Sequence, residues 1–421
     1  MRVACGCTRR EFVRLTLGTS VGALAGLAGG LPGVGLQEGT RASRARRLVL
    51  LWMAGAPSQL DTFDLKPGAP TGGPFREIET AVPGIRICEH LPQVAQEMRR
   101  LSLVRTVHSS DPNHETATYF LHTGYRKAPD TMHPHFASVL VKELGSAADL
   151  PGCVAIGGNP PAGSGYLAPE TGPVVFDKLS DPTEDVMLAK GITPERLEER
   201  WKLLREFEGP FLGSHDDAAL EARSRAYERA YRVLTSRRVK AFDVQEEPEK
   251  VRRRYGDTPL GRACLMARRL LEAEVRCVEV MFGDWDTHAD NFNGHRKLMA
   301  DLDPACAALV GELAERGLLD ETLVVWMGEF GRTPAVNGAE GRDHFTRAWT
   351  VMLGGGGVAG GRVVGRTDET GREILERPVS VADLFATVYS CFGIDARKEH
   401  LTQAKRPLKI LEGGEPVREL F

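Results

Sequence analysis

From Thr258 onward, apolar strands and amphipathic helices take turns along the chain, and this alternation restricts the fold more than any other feature. "TPLGRACLMARRLLEAEV" (258–275) opens on a Thr-Pro start signal and reads as a helix. The apolar run 276–282, "RCVEVMF", reads as a buried strand. A helix over 295–317 leads to a strand over 322–328, "TLVVWMG". A strand at 348–353 and a helix at 380–391, "SVADLFATVYSC", complete the series. Upstream, "RLVLLWMAG" (47–55) reads as a strand, and 91–107 as a helix followed by a strand. This pattern predicts an α/β fold with a largely parallel sheet. Residues 150–175, rich in Gly and Pro, are expected to be loops. A long charged helix is expected over 216–243, with Leu220, Tyr227, Tyr231 and Leu234 on one face. It would belong to a helical insertion at about 180–255.

The N-terminus reads differently. Arg9-Arg10 and Phe12 precede "LTLGTSVGALAGLAGGLPGVG", an apolar run diluted by small residues. Residues 1–34 therefore resemble a twin-arginine export signal, with the export machinery as a partner. The run is long enough to span a bilayer, and no clear A-x-A cleavage site follows, so an uncleaved signal is the one expected membrane contact. Residues 35–46, "GLQEGTRASRAR", read as a polar tether, and 47–421 as the folded domain. A net charge of −3 gives no electrostatic reason to expect nucleic acid. The eight cysteines show no C-x-x-C spacing, and Cys277 and Cys306 read as small core residues.

In parallel sheets, ligands bind beyond the carboxyl ends of the strands. Ser58, Asp61 and Asp64 follow the first strand, and His108, Asp111, Asn113, His114 and Glu115 the second. "GDWDTH" brings Asp284, Asp286 and His288, and beyond 322–328 lie Glu329, Arg332, Asp343 and His344. Carboxylates and imidazoles without cysteine suit a divalent metal, zinc first, with manganese, iron or calcium as alternatives. The candidate ligands are Asp61, His114, Asp286, His288, Glu329, Asp343 and His344. Arg332 would hold a substrate oxyanion; its bland alternative is a surface ion pair with Glu340 or Asp343. Gly354 to Gly357 lack the Lys and Ser/Thr of a phosphate loop and read as a flexible loop or tight turn. His133 and His135 read as surface loop residues, with a place supporting the site's ligands from behind as the alternative, and Trp285 as a packing residue.

"LLWMAGAPSQLDTFDLKP", "EEPEKVRRRYGDTPLGRACLMARRLLEAEVRCVEVMFGDWDTH", "MGEFGRTP" and "GRDHFTRAWTVMLGGGGVAGGRVVG" resemble an exported bacterial family, domain of unknown function 1501. The resemblance runs from about Leu48 to the C-terminus. That family is similar to the alkaline phosphatase and sulfatase superfamily, which implies a three-layer sandwich and a metal site. The superfamily's Asp-x-x-x-His is met by Asp284 and His288, with Asp286 an equally good partner, and its last His by His344. Glu329 stands where an Asp is usual, and Phe330 where a His is usual. Ala54-Gly55 occupy the place of the early Asp. His114 stands at the nucleophile position, nine residues before Thr123-Gly124. A covalent route would need a nearby hydroxyl, with Thr116 the first candidate and Thr118, Ser109 and Ser110 close by. Otherwise water activated by the metal attacks directly.

The expected function is an exported metal-dependent hydrolase of phosphate or sulfate esters, acting on a small molecule or a polysaccharide. The alternative is a non-catalytic exported binding protein on the same scaffold, with a structural metal or none.

Overall fold

The first strand, β1 (Arg47–Met53), is buried at every residue after its first, because RLVLLWM is apolar on both faces. It lies inside the main sheet of a computed structural model. The structure describes residues 45–147, 149–179, 186, 188, 190–214, 218–402 and 404–421. The export signal expected over 1–34 and the tether up to residue 44 lie outside them. Ala45 and Arg46 already belong to the fold. Ala45 N–H donates to Cys391 O (3.1 Å) and Arg46 N–H to Glu321 O (2.8 Å).

The other strands of the sheet are β2 (Leu101–His108), β3 (Cys153–Ile156), β4 (Val174–Phe176), β5 (Cys277–Phe282), β6 (Thr322–Met327), β7 (Trp349–Gly354), β8 (Val363–Val364) and β9 (Val379–Ser380). Their order is β8-β2-β7-β6-β1-β5-β3-β4, with β9 paired to β2. β1 runs parallel to both β5 and β6. β7 runs antiparallel to β2 and β6. The sheet is thus largely parallel, as the alternation of elements predicts.

Helices cover both faces. α1 (His114–Thr123), α2 (Phe136–Leu144), α3 (Pro194–Ser214), α4 (Ala218–Thr235), α5 (Pro259–Glu272), α6 (Asn291–Glu315) and α7 (Val381–Cys391) are the helices that matter here. Strand alternation divides the core in two. Val49, Leu51, Val278, Val280, Val324 and Trp326 pack against α5 and α6. Leu50, Trp52, Cys277, Val325 and Met327 pack against α1, α2 and α7. The result is a three-layer α/β/α sandwich.

Two expectations are corrected. Residues 150–175 are not all loop: β3, with sequence CVAI, and the start of β4 extend the sheet. A run of four apolar residues between prolines and glycines is too short for periodicity to identify. The charged helix ends earlier than 243, because Ser236 caps a 3₁₀ turn, Arg237–Phe242, by accepting from Arg238 N–H. Three other expectations hold. Gly355, Gly356 and Gly357 all have positive φ in a tight turn closed by a Gly355–Val358 bridge. Trp285 is fully buried. The described cysteines are free and buried.

Within β5 the apolar pattern is broken by Glu279, which is 2% exposed. It faces α1 and α2, accepting from His122 Nε2 (2.9 Å) and His135 Nε2 (3.0 Å). Burial pushes its carboxyl pKa up, but the charge and hydrogen bond of His122, with His135, hold it down at about 2. A carboxyl depressed in the fold adds stability above its unfolded pKa, which is lost as pH falls from ordinary carboxylate values towards about 2. Glu279→Ala, which strands the facing imidazoles, should cost about 3–5 kcal/mol. Urea unfolding at pH 7 and pH 3 measures both effects. The deficit of the variant should shrink at the lower pH.

Candidate metal centre

The site grows from the loops that leave β1, β2, β5 and β6 at their carboxyl ends. Asn113 caps α1 by accepting from Thr116 N–H, which sets His114 in the first helical turn. Asp286 and His288 follow β5. His344 lies in a two-residue strand, His344–Phe345, paired antiparallel with Gly331–Arg332. Two glycines allow close approach. A Cβ on Gly55, where φ is +102°, would lie 2.5 Å from Asp286 N, and one on Gly341 would lie 1.9 Å from His288 O.

Three imidazoles meet here. His114 Nε2 and His288 Nε2 each lie 2.9 Å from His344 Nε2. Asp286 Oδ1 lies 3.3 Å, 3.2 Å and 3.4 Å from the Nε2 atoms of His114, His288 and His344. The other ring nitrogens fix the tautomers. His114 Nδ1 donates to Glu329 Oε1 (2.6 Å), His288 Nδ1 to Asp343 Oδ1 (2.7 Å) and His344 Nδ1 to Pro112 O (2.7 Å). With every Nδ1 donating, the neutral rings present Nε2 lone pairs to one another. Lone pairs this close repel unless a metal ion or a proton sits between them. The edges of a tetrahedron with metal–ligand bonds of ~2.0–2.1 Å are roughly 3.3 Å, near the spacings of His114 Nε2 and His344 Nε2 from each other and from Asp286 Oδ1. His114, His344 and Asp286, whose ligand atoms all lie within 4.8 Å of one another, therefore fit a divalent metal, with His288 beside His344 as a further candidate ligand.

The remaining candidates fall into other places. Glu329 and Asp343 orient imidazoles, as partners of metal-ligating histidines commonly do. Glu329 Oε1 also accepts from Gly55 N–H (3.0 Å). Asp61 is not at the cluster. It is fully buried, with Oδ2 accepting from Arg342 Nε (2.7 Å) and Asn291 Nδ2 (2.9 Å). The buried guanidinium satisfies Asp61 where a metal was expected. Arg332 does not line the cleft beside the cluster and is not a surface ion pair. Its side chain is fully buried, with Nε donating to Ala56 O (2.9 Å), Nη1 to Arg342 O (3.2 Å) and Nη2 to Gly55 O. Nη2 also donates to Asp286 Oδ1 at 2.6 Å, so Arg332 aims the Asp286 carboxylate. Thr116 does not line the cleft beside the cluster, its hydroxyl lying 3.4 Å from the Asn113 cap oxygen. Thr118, one helical turn beyond His114, does line it.

That cleft encloses about 420 Å³. Carboxylates of Glu115, Asp284, Asp286 and Glu329 line it, beside Asn159, Pro161 and Met281. Burial raises the Asp286 pKa, but the hydrogen bond and charge of Arg332 outweigh it and hold the carboxyl at about 2. Burial lowers the His114 pKa, yet Glu329 and Asp286 more than offset this and leave it raised. Burial leaves His344 lowered.

A second group, His122, His135 and Glu279, also brings three potential ligand atoms together. It differs at the ring nitrogens. His135 Nδ1 accepts from Ala137 N–H (2.9 Å) at the cap of α2, so its Nε2 carries the proton given to Glu279. His135 is thus a buried cap, and His133 is buried too, against the expectation of surface loop residues.

Residues 45–421 match the family described as "Protein of unknown function (DUF1501)". The chain belongs to that family. No curated protein matches it. Solved structures similar to this DUF1501 member include a protein in the alkaline phosphatase superfamily from Vibrio parahaemolyticus. It is 12% identical with a TM-score of 0.37, covering 84% of this chain and 68% of that one. PsFucS1 sulfatase from Pseudoalteromonas sp. is 13% identical, with a TM-score of 0.37 and coverage of 83% and 68%. The C-terminal periplasmic domain of EcEptC from Escherichia coli, in complex with Zn, is 10% identical, with a TM-score of 0.38 and coverage of 89% and 96%. TM-scores in this range are too low to carry a site or an activity between chains.

His344→Ala should abolish tight metal binding. Asp61→Asn should leave metal stoichiometry unchanged while destabilising the fold by about 3–5 kcal/mol, since Arg342 loses its buried partner. Elemental analysis and urea unfolding of the two variants separate these outcomes.

Proposed function

We propose that this DUF1501 protein is an exported, metal-dependent hydrolase of phosphate or sulfate esters. One observation carries the reading: three Nε2 lone pairs and a carboxylate oxygen converge beside an open cleft. Zinc suits three nitrogens and one carboxylate best; calcium, which prefers oxygen, suits them least. When bound, such an ion would polarise an ester oxygen and activate water.

The chain's own residues have separable tasks. His114, His288, His344 and Asp286 would hold the metal. Glu329, Asp343 and the Pro112 carbonyl keep the rings turned so that Nε2 faces inward. Arg332 keeps Asp286 ionised and aimed. The carboxylates lining the cleft repel an anionic ester until the metal is in place. Thr118 lies on the cleft wall.

The second reading, a binding protein without turnover, is favoured by His114 itself. It fills the place of a covalent nucleophile, and Thr116 points elsewhere. Direct attack by water needs no such nucleophile, so the hydrolase remains the better account. Export is supported by Arg9-Arg10 ahead of the apolar run. Among the described residues, no helix is long and apolar enough to cross a membrane.

Protein purified without chelator should hydrolyse a phosphate or sulfate ester in a metal-dependent way, and His288→Ala should reduce this to background. A metal-loaded wild type inert to both ester classes supports the binding protein instead. Metal retention should also fall with acid. A protonated imidazole cannot ligate, and the raised His114 pKa means that competition by protons begins above the usual histidine range. Dialysis at stepped pH followed by metal analysis checks this.

A further inference from the structure

The group formed by His122, Glu279 and His135 resembles a second metal site in composition. The positions of its protons argue for another role. His122 Nδ1 lies 2.7 Å from the Thr118 carbonyl, which can only accept, so that nitrogen carries a proton. His122 Nε2 lies 2.9 Å from Glu279 Oε1 and His135 Nε2 lies 3.0 Å from Glu279 Oε2. His135 Nδ1 is occupied by the Ala137 N–H, so its Nε2 is the donor. Both nitrogens that face Glu279 therefore bear protons, and neither offers a lone pair to a cation. His122 then carries a proton on each ring nitrogen. Its charge is met by the Glu279 carboxylate and by the ring of Trp52, centred 4.1 Å away.

The location of the group matters as much as its chemistry. α1 begins with His114 and ends near His122. β5 carries Glu279 and runs on to Asp286 and His288. The His122–Glu279 contact thus joins the helix bearing one imidazole ligand to the strand leading to two other ligands. All three side chains are buried, so the contact is shielded from water and salt.

We propose that His122, Glu279 and His135 form a proton-filled brace, not a second metal site, and that His122 and Glu279 are positioning residues for the metal centre. The brace holds α1 at a fixed height against β5, so that His114 Nε2 meets the loop carrying Asp286 and His288. This inference rests on the metal-centre reading above and goes beyond it.

The test compares zinc affinity by competition with a chromophoric chelator. The proteins are wild type, Glu279→Gln and, as a control, Glu312→Gln. Glu312 belongs to a buried network with Arg268 and Tyr255, away from the ligands. Circular dichroism first establishes that each is folded under the assay conditions. Glu279→Gln should bind zinc with unchanged stoichiometry and roughly 10–100-fold weaker affinity, as outer partners of metal ligands do when altered. Glu312→Gln should bind like wild type even if it melts earlier. Nitrogen NMR of wild type should show both His122 ring nitrogens protonated at neutral pH, a readout that needs no variant to fold. Unchanged affinity in folded Glu279→Gln, loss of a zinc equivalent in that variant, or a neutral His122 ring overturns the brace alone. Wild type that binds no zinc overturns the metal centre and the brace together.

Discussion

His114 Nε2 and His288 Nε2 each lie 2.9 Å from His344 Nε2, and every Nδ1 is turned to an outer acceptor, so a metal ion or a shared proton has to sit between the rings. Much of the loop structure around the sheet serves to hold them there. Glu329, Asp343 and a backbone carbonyl pin the outer ring nitrogens. Arg332, itself buried and bonded to the loop after β1, presses Asp286 towards the same point. A cation among the four groups converts mutual repulsion into coordination. Without one, a proton shared between neighbouring Nε2 atoms would have to take its place.

The sheet makes such an assembly possible. Parallel strands deliver their following loops to one edge, and β1 sits between β5 and β6. Loops hundreds of residues apart are thereby brought within hydrogen-bond distance. The Arg332 strand pairs with the His344 strand, so the residue that aims Asp286 lies directly across from a ligand. Gly55 and Gly341 remove the Cβ atoms that would keep the loops apart. Beneath the site, the fully buried Arg342–Asp61 ion pair ties the loop that carries His344 to the one after β1.

The sandwich and the strand ends were legible because apolar periodicity is a local property of the chain. Each site residue called from sequence follows a strand or lies in its loop. The division of labour among them was not legible. Asp61 and Asp286 look alike in sequence, and only the buried guanidinium of Arg342 shows that Asp61 is already satisfied. Arg332 looked like a substrate group because nothing in "GEFGRTP" reveals that its donors are taken by the loop after β1. Glu279 sits inside an apolar strand, where no neighbouring residue in sequence points to its partners. A lone carboxylate in such a run is itself a signal, since an ionised side chain survives burial only with partners. The need for Gly341 is not legible, because close approach between distant loops leaves no local trace.

The central claim is that His114, His288, His344 and Asp286 share one metal ion. X-ray absorption at the zinc edge, on protein purified without chelator, tests it most directly. The account predicts a four-coordinate shell with imidazole scattering from three rings at ~2.0–2.1 Å and one oxygen ligand. A spectrum without a zinc edge or that of another transition metal, or a shell made of oxygen or sulfur without imidazole, would contradict it.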